Sequence, residues 1–301
     1  MIDLSTNIGS LSLKNPLLLA SGTWGFGEKL KDHLDLSLLG GLVTKGISLK
    51  PRSGNPPPRL AETPCGLVNA IGLENPGLIN FRSEILPRLL GYRVPILVNV
   101  FGESIDEYLA VVEGLKDTSI QGLELNISCP NVKKGGLQFG QDPKAVKELV
   151  AKVRKAYDGL LVVKLSPAGP TLEVAQAAAR AGAEALTVAN TYPALVIDLE
   201  RRKPAVAAGF GGLSGPAIKP LTLRLVYQVS REVLLPVIGC GGISTGRDVL
   251  EYLLAGASAV QVGTATLVDP ASPRRILSEL GLLLERLRVS RLSSLIGALE
   301  A

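Results

Sequence analysis

The stretch ARAGAEALTVAN, residues 179–190, holds the end of a helical pattern, then a glycine, then a run of apolar residues. The stretch LLAGASAVQVGT, residues 253–264, repeats the same order. Glycine often ends a helix, and a continuous apolar run is typical of a strand buried on both faces. The repetition indicates that the chain is built from β-α modules.

Similar apolar runs recur along the 301 residues, each leading into a turn and a helical pattern. They cover residues 16–20, 42–44, 95–98, 122–125, 160–163, 185–189, 236–239 and 259–262. Strands that alternate with helices in this way predict an α/β fold, a (β/α)8 TIM barrel, as a single domain over 1–301. A doubly wound open sheet is the alternative, and the absence of a G-x-G-x-x-G stretch after the first strand disfavours it.

Segments outside the repeating pattern are also informative. Residues 4–8 and 11–13, around Gly9 and Ser10, predict a small N-terminal hairpin that closes the barrel bottom. The connections 48–76 and 191–216 are too long for plain barrel loops and are rich in Gly, Pro and Asn. We expect both to be long loops over the top face of the barrel.

Composition excludes several classes of protein. The net charge is +5, but the basic residues are scattered, which favours solvated faces over a nucleic-acid surface. The three cysteines, Cys65, Cys129 and Cys240, form no CxxC pair, so this chain alone offers no zinc ribbon or iron–sulfur cluster, and we expect no metal. No signal peptide or bilayer-spanning apolar run is recognisable. We therefore expect a cytoplasmic protein that does not bind a membrane.

Polar residues follow the apolar strands in a ring. In a TIM barrel the carboxyl ends of the strands converge on the active site. The residues at these positions are Ser21, Lys45, Asn99, Asn126, Lys164, Asn190, Gly241, Gly242, Gly263 and Thr264. A single polar residue at a strand end meets water in many proteins, whereas two lysines and three asparagines around one ring indicate a binding site.

The glycines of this ring follow the seventh and eighth strands. Backbone N–H groups there can hold a phosphate against a helix N-terminus, which predicts a phosphorylated ligand. Lys45 and Lys164 allow two interpretations, Schiff-base chemistry or a fixed positive charge that stabilises an anion. These residues alone leave both open.

Cys129 ends a buried strand and is followed by Pro130, two lysines and two glycines. Most free cysteines are small buried hydrophobes, the interpretation we give to Cys240, while Cys65 stays ambiguous. The neighbouring Lys133 and Lys134 favour a thiolate. The position suits a general base or nucleophile on a loop at the barrel mouth.

Five stretches resemble one enzyme family over nearly the whole chain. They are SGTWGFGE (21–28), CGLVNAIGLENPG (65–77), NISCPNVKKGGLQFG (126–140), GGLSGPAIKP (211–220) and VIGCGGIS (237–244). Together they are similar to dihydroorotate dehydrogenase, and within it to the FMN-containing catalytic subunit of the NAD-linked, two-subunit bacterial class. Cysteine at position 129 differs from the serine of the membrane-bound quinone class.

The resemblance implies an FMN at the barrel mouth. Its phosphate is expected on Gly241, Gly242, Gly263 and Thr264. The remaining expected FMN-binding residues are Ser21, Lys45, Gly46, Asn99, Asn126, Lys164, the Ala189 backbone and Gly215. Lys164 is expected on the N1 side of the isoalloxazine, which favours the electrostatic interpretation of this lysine.

The resemblance also implies the substrate and its chemistry. Dihydroorotate is expected to stack on the flavin, with these binding residues: Lys45, Asn69, Ala70, Ile71, Gly72, Leu73, Asn126, Asn190 and Thr191. Cys129, Lys164 and Lys45 are the expected catalytic residues. Cys129 removes the C5 proton while the C6 hydrogen leaves as hydride to the flavin, giving orotate in pyrimidine biosynthesis.

A partner follows from the same resemblance. Electrons leave FMN through a 2Fe-2S cluster and FAD on a second subunit and end on NAD, and this chain lacks the cysteines and the dinucleotide fingerprint for those groups. We expect a homodimer that associates with such a subunit.

Alternatives remain within and beyond the flavin barrels. The nearest are a fumarate-linked one-subunit dihydroorotate dehydrogenase and a barrel that acts on another dihydropyrimidine. A tRNA dihydrouridine synthase is a weaker alternative, because it needs an RNA-binding extension and the residues after the last predicted strand suffice only for closing helices. A non-catalytic phosphate-binding barrel and a Schiff-base aldolase are alternatives from other classes. Flavin absorbance of the purified protein separates the flavin enzymes from these two.

Overall fold

The computed structural model describes residues 2–27, 32–128 and 139–300. Its strands are β1 (Thr6–Ile8), β2 (Leu11–Leu13), β3 (Leu17–Leu19), β4 (Gly41–Val43), β5 (Leu60–Thr63), β6 (Gly66–Asn69), β7 (Ile96–Val100), β8 (Gly122–Asn126), β9 (Leu160–Lys164), β10 (Ala185–Val188), β11 (Tyr192–Ala194), β12 (Ile197–Asp198), β13 (Lys203–Pro204), β14 (Gly211–Ser214), β15 (Val237–Cys240) and β16 (Ala257–Val262).

The α-helices are α1 (Gly77–Asn80), α2 (Leu86–Leu90), α3 (Ile105–Leu115), α4 (Pro143–Ala156), α5 (Thr171–Arg180), α6 (Lys219–Glu232), α7 (Gly246–Leu254), α8 (Thr264–Val268) and α9 (Ser272–Arg286). A π-helical turn, Phe81–Ile85, joins α1 to α2. The 3-10 turns are Leu36–Leu38, Phe139–Gln141, Pro216–Ile218 and Leu292–Leu295. No helix in the described part of the chain has the length and apolar character needed to cross a membrane.

Eight parallel strands close into a barrel in the order β3-β4-β7-β8-β9-β10-β15-β16. The last strand returns to the first through the pairs Val260↔Leu17 and Val262↔Leu19. Each strand is therefore hydrogen-bonded to the strands before and after it in the barrel order, and the helices follow them along the chain. The predicted (β/α)8 TIM barrel is confirmed.

The barrel encloses an apolar lower layer. Side chains at alternating strand positions point inward and pack on one another, because successive residues of a strand face opposite sides. This layer consists of Ile8, Leu13, Leu18, Val43, Leu97, Leu160, Val162, Ala185, Ile238 and Ala259. Ile8 and Leu13 come from the β1–β2 hairpin, so the predicted hairpin does close the barrel bottom. A larger apolar cluster lies between the strands and the helices.

Helix ends follow the local sequence. Asp142 caps α4 by accepting the backbone N–H of Lys144, and Pro143 occupies the first turn, where its missing N–H is not needed. Helix α5 ends before Gly182, which has a φ of +103°. Thr245 caps α7 in a capping box with Asp248.

The two long connections pair with each other. Strands from 48–76 and from 191–216 form a four-stranded antiparallel sheet in the order β11-β14-β6-β5. The sheet contacts the ends of the barrel strands, since Thr264, two residues after β16 ends, donates through Oγ1 to Ser214 Oγ at 2.8 Å. Both excursions therefore lie over the top face as predicted, but they are joined by a shared sheet rather than being separate loops, and β12 and β13 of the second form a further two-stranded sheet.

Candidate active site

Three of the predicted polar residues lie within barrel strands rather than after them. Asn99 is in β7, Asn126 ends β8 and Lys164 ends β9. The predicted strands end one residue too early for β8 and β9 and two residues too early for β7. The backbone pairs Asn99↔Glu124 and Asn126↔Lys164 continue the ladder, so these side chains are fixed by the sheet itself.

Lys164 is the buried cation of the site, with 4% of the residue exposed. Its Nζ donates to Ser21 Oγ at 3.3 Å and lies 3.9 Å from Glu124 Oε1. Burial lowers the pKa of Lys164, but attraction to Cys240 and Glu124 outweighs burial and the net shift is upward. A lysine held protonated is a fixed charge and a poor Schiff-base nucleophile, which favours the electrostatic interpretation.

Asn126 and Asn190 form an amide pair across the mouth. Asn190 Nδ2 donates to Asn126 Oδ1 at 3.3 Å, and Asn190 Oδ1 accepts the Thr191 N–H at 2.8 Å. The hydroxyl of Tyr108, from α3, donates to the backbone carbonyl of Asn126 at 2.7 Å. These contacts orient both amides, so the predicted residues Asn126, Asn190 and Thr191 are brought together.

The glycines after β15 approach the start of α6. Gly242 has a φ of +69°, and a Cβ there would lie 2.7 Å from Lys219 Cβ and 3.0 Å from Gly215 O. Only glycine fits this backbone at such a close approach. The N–H groups of Gly242 and Gly263 donate no hydrogen bond to any residue in the described part of the chain.

Helix α7 does not offer its N-terminus to a ligand. Asp248 accepts the N–H groups of Ser244 at 2.9 Å and Thr245 at 2.8 Å, and Lys219 Nζ donates to its other oxygen at 2.7 Å. Burial raises the pKa of Asp248, but the bonds from Lys219, Ser244 and Thr245 outweigh burial and lower it. The chain's own carboxylate thus occupies that helix end, and α8, which follows Gly263, begins beside the glycines.

Lys45 is paired with the predicted substrate loop. Its Nζ lies 2.9 Å from Glu74 Oε2, and Arg59 Nη1 lies 3.3 Å from Glu74 Oε1. The hydrogen bond from Lys45 is the largest cause of a lowered pKa at Glu74. Gly46, the next residue, lies close to Asn99. A Cβ added to Gly46 would lie 2.9 Å from Asn99 Oδ1.

The loop from Asn69 to Leu73 is held from both sides. Asn69 ends β6 and donates through Nδ2 to Gly212 O at 3.1 Å, beside Thr191. Ala70 O accepts from Asn55 Nδ2 at 3.0 Å, and Ile71 O accepts the Asn55 N–H at 3.0 Å. The loop continues through Gly72, whose φ is +77°. Its backbone is therefore fixed by groups far away in sequence.

The structure describes two of the three cysteines, Cys65 and Cys240. Cys129 lies outside the described residues, so its role stays a prediction. Cys240 ends β15 beside Lys164, and burial raises the pKa of its thiol while Lys164 opposes that rise. Cys65 is exposed. Within residues 2–27, 32–128 and 139–300, no group of three or more His, Cys, Asp or Glu side chains is placed to hold a metal ion.

Ala189 follows β10, and its N–H donates to the Cys240 carbonyl at 3.0 Å. This bond ties the backbone at Ala189 to the strand that carries Gly241 and Gly242. The mouth thus combines a buried ammonium, a pair of amides and a glycine-lined backbone. A family model described as dihydroorotate dehydrogenase matches residues 3–284.

The chain belongs to the dihydroorotate dehydrogenase family. A relative from Citrifermentans bemidjiense, named dihydroorotate dehydrogenase B (NAD(+)), catalytic subunit, is 49% identical over 99% of this chain and 98% of its own length. A relative of the same name from Pelobacter propionicus is 50% identical over 99% of each chain. A provisionally assigned dihydroorotate dehydrogenase A (fumarate) from Solibacter usitatus is 48% identical over 99% of this chain and 98% of its own.

Sequence reasoning missed polar residues that support the barrel mouth. Glu124 lies fully buried between Leu123 and Leu125, and a lone acid in an otherwise apolar strand was the available signal. Asn75 is also buried, and its side chain accepts the N–H groups of Ser48 and Gly77 and so fixes the end of the predicted substrate loop. Glu74 stands in the same loop and had no distinguishing pattern.

Proposed function

We propose that this chain oxidises (S)-dihydroorotate to orotate in pyrimidine biosynthesis, as the FMN-containing catalytic subunit of an NAD-linked enzyme. The observation that carries the proposal is the convergence of Lys164, the Asn126–Asn190 pair and the glycine backbone at one barrel mouth. Relatives named as catalytic subunits of dihydroorotate dehydrogenase B match nearly the full length of the chain. We also propose that residues 1–301 form a single FMN-binding domain.

The residues at the mouth fit FMN. Lys164 has three N–H donors and makes one hydrogen bond, to Ser21, among the described residues, so an acceptor-rich ring edge completes its bonding. The free N–H groups of Gly242 and Gly263 suit the phosphate, together with Gly241 and Thr264. The other residues that would hold the group are Ser21, Lys45, Gly46, Asn99, Asn126, Ala189 and Gly215.

The amides suit the substrate ring. Dihydroorotate presents alternating N–H donors and C=O acceptors, and an asparagine side chain offers both kinds of group. The side chains of Asn126 and Asn190 bond each other, the Thr191 N–H bonds the Asn190 side chain, and Tyr108 holds the backbone of Asn126. We place the ring against these amides and Asn69–Leu73, with Lys45 near the substrate carboxylate.

The chemistry divides between a base and a hydride acceptor. FMN, when bound, supplies the acceptor for the hydride that leaves C6. Cys129 takes the C5 proton as general base, which a thiolate near neutral pH performs well. Lys164 stays protonated and stabilises negative charge that develops at the ring edge it faces. Lys45 orients the substrate and moves no proton.

A second subunit belongs to the proposal. The relatives are named catalytic subunits, which implies a second, non-catalytic chain in those enzymes. We assign the FAD and the 2Fe-2S cluster to that chain, propose a homodimer of this one, and place the assembly in the cytoplasm. We propose no role for nucleic acid or for a membrane.

Fumarate as acceptor is the second candidate, favoured by the relative from Solibacter usitatus. The purified chain, reduced anaerobically with dihydroorotate, is mixed separately with NAD and with fumarate, and flavin reoxidation is followed by absorbance. We expect a bound FMN and no rapid reoxidation by either acceptor without a partner. Reoxidation by fumarate alone assigns the one-subunit class, and a colourless protein that takes up no FMN contradicts both candidates.

A further inference from the structure

Glu124 is a carboxylate in the interior of the barrel. It lies in the middle of β8, and none of its surface is exposed. Its neighbours Leu123 and Leu125 face the other side of the strand, so Glu124 points toward the barrel axis, above the apolar lower layer. A charge in such a place is costly unless polar groups compensate for it.

Hydrogen-bond donors surround this carboxylate. Oε1 accepts Asn99 Nδ2 at 2.8 Å. Oε2 accepts Thr187 Oγ1 at 2.7 Å and Gln261 Nε2 at 2.6 Å. In each of these contacts the partner donates a hydrogen bond to Glu124, which is the arrangement that a carboxylate anion requires.

The fourth neighbour is the ammonium of Lys164, with Nζ 3.9 Å from Glu124 Oε1. Both side chains are almost fully buried, at 6% and 0% exposure. At such depth the attraction between the two charges is strong, since the surroundings screen it less than water does. The pair is therefore electrically neutral as a unit.

Glu124 thus acts on two residues of the proposed flavin site without reaching the mouth itself. It holds the Asn99 amide in place, and it balances the charge of Lys164. An unbalanced cation beneath a flavin favours the reduced, anionic form and raises the reduction potential. A balanced ion pair keeps the potential lower, so that the electrons are more readily passed on.

We propose that Glu124 is a positioning residue that fixes Asn99 and offsets the Lys164 charge, and so lowers the reduction potential of the bound flavin. The inference rests on the proposed function, because it assumes a flavin at this mouth. The acid lies outside every set of residues that the family resemblance implied.

Glu124→Gln removes the charge and keeps the shape. The new amide nitrogen would face Gln261 Nε2, so that two hydrogen-bond donors would meet. Gln261 Oε1, however, is buried and makes no hydrogen bond to the described residues. Rotating the Gln261 amide by half a turn supplies that oxygen as the acceptor. Thr187→Val is the matched control, because it removes one hydrogen bond to Glu124 and leaves its charge.

The test is the reduction potential of bound FMN, measured against a reference dye with a chemical reductant. We expect Glu124→Gln to shift the equilibrium at least tenfold toward reduced flavin, which is about 30 mV for a two-electron couple. Glu124→Asp, with its carboxylate set back by one methylene, should lie between wild type and Glu124→Gln. Thr187→Val should retain the wild-type potential.

A potential in Glu124→Gln that equals or falls below the wild-type value overturns the inference, as does an equal shift in Thr187→Val. If Glu124→Gln does not fold, Glu124→Asp alone decides, and a potential at or below wild type overturns it. Failure of wild-type FMN to be reduced by dihydroorotate, while the chemical reductant still works, counts instead against the proposed function.

Discussion

Lys45 Nζ and Glu74 Oε2 lie 2.9 Å apart and join the end of a barrel strand to the proposed substrate loop. The side chains are 21% and 44% exposed. Water therefore weakens the pair, and its contribution to stability is small, about 0.2–1 kcal/mol. The pair matters more for binding, because the Glu74 carboxylate neutralises the charge of Lys45, which we expect to contact the substrate.

Glu74→Gln should separate these two effects. The pKa of Glu74 is lowered in the folded protein by the hydrogen bond from Lys45, so the pair stabilises the fold above the ordinary value of 4.5 and loses that effect as pH falls through the folded value. We expect the variant to be less stable at pH 7 by at most about 1 kcal/mol, and equally stable in acid. Urea unfolding at both pH values measures this, and a gap that widens in acid contradicts the assignment.

The same variant tests the substrate role of Lys45. Freed from Glu74, the ammonium should bind dihydroorotate more tightly, and the dissociation constant obtained by titrating the flavin spectrum should fall. Glu62→Gln, on strand β5, is a control that removes an acid with no ion pair among the described residues. A weaker affinity in Glu74→Gln shows that the loop geometry matters more than the charge.

Cys129→Ser should retain FMN and substrate while slowing flavin reduction by dihydroorotate. Loss of a general base typically costs roughly 10²–10⁴ in rate, and raising the pH should restore part of it. Anaerobic stopped-flow absorbance measures the step directly. An unchanged rate rules out Cys129 as the base, and Cys65→Ser, which alters an exposed cysteine, is the control.

Lys164→Ala should impair both the flavin and the fold. It leaves Glu124 buried without its cation, which costs about 3–5 kcal/mol, and it removes the donor expected at the ring edge. Lys152→Ala breaks an exposed pair with Glu148 and should cost under about 1 kcal/mol with FMN retained. Flavin content and urea unfolding report the two effects, and a Lys164→Ala variant with normal FMN affinity shows that our placement of the flavin is wrong.

Gly242→Ala tests the phosphate backbone. An added Cβ meets Lys219 Cβ at 2.7 Å and Lys219 N at 2.8 Å, at a φ of +69°. The backbone has to move, and we expect FMN affinity to fall at least tenfold, about 1.4 kcal/mol. Fluorescence titration of apoprotein with FMN measures this change.

Gly281→Ala is the matched control for that variant. It lies within α9, and an added Cβ meets no atom within 4 Å. We expect a gain in stability of about 0.5–1 kcal/mol with unchanged FMN affinity, because alanine costs less backbone entropy in a helix. Equal FMN affinities in Gly242→Ala and wild type would show that the phosphate does not bind at this backbone.

The barrel was predictable because its signal is local and repeated. A strand buried on both faces must be apolar along its length, so 160–163 and 185–189 were recognisable from their own residues. The ends of parallel strands meet at one place, so Lys164 and Asn190 were recognisable from the sequence as neighbours of a site.

Contacts between distant segments were not predictable in the same way. The pairing of β6 with β14 joins residues about Asn69 to residues about Gly212, and antiparallel edges of short, glycine-rich strands leave little trace in composition. Glu124 was missed for a related reason: its compensation comes from Asn99, Thr187 and Gln261, each on a different strand. The sequence shows an acid within an apolar strand, but it does not show the donors that compensate for the charge.

The central claim is that dihydroorotate reduces a flavin held at the mouth of this barrel. Its most direct test is an anaerobic titration of the purified, FMN-loaded chain with (S)-dihydroorotate, in which flavin bleaching and orotate formation are followed together. We predict that the flavin is reduced and that one orotate appears for each flavin. Flavin that stays oxidised with excess dihydroorotate, yet is bleached by dithionite, would contradict it.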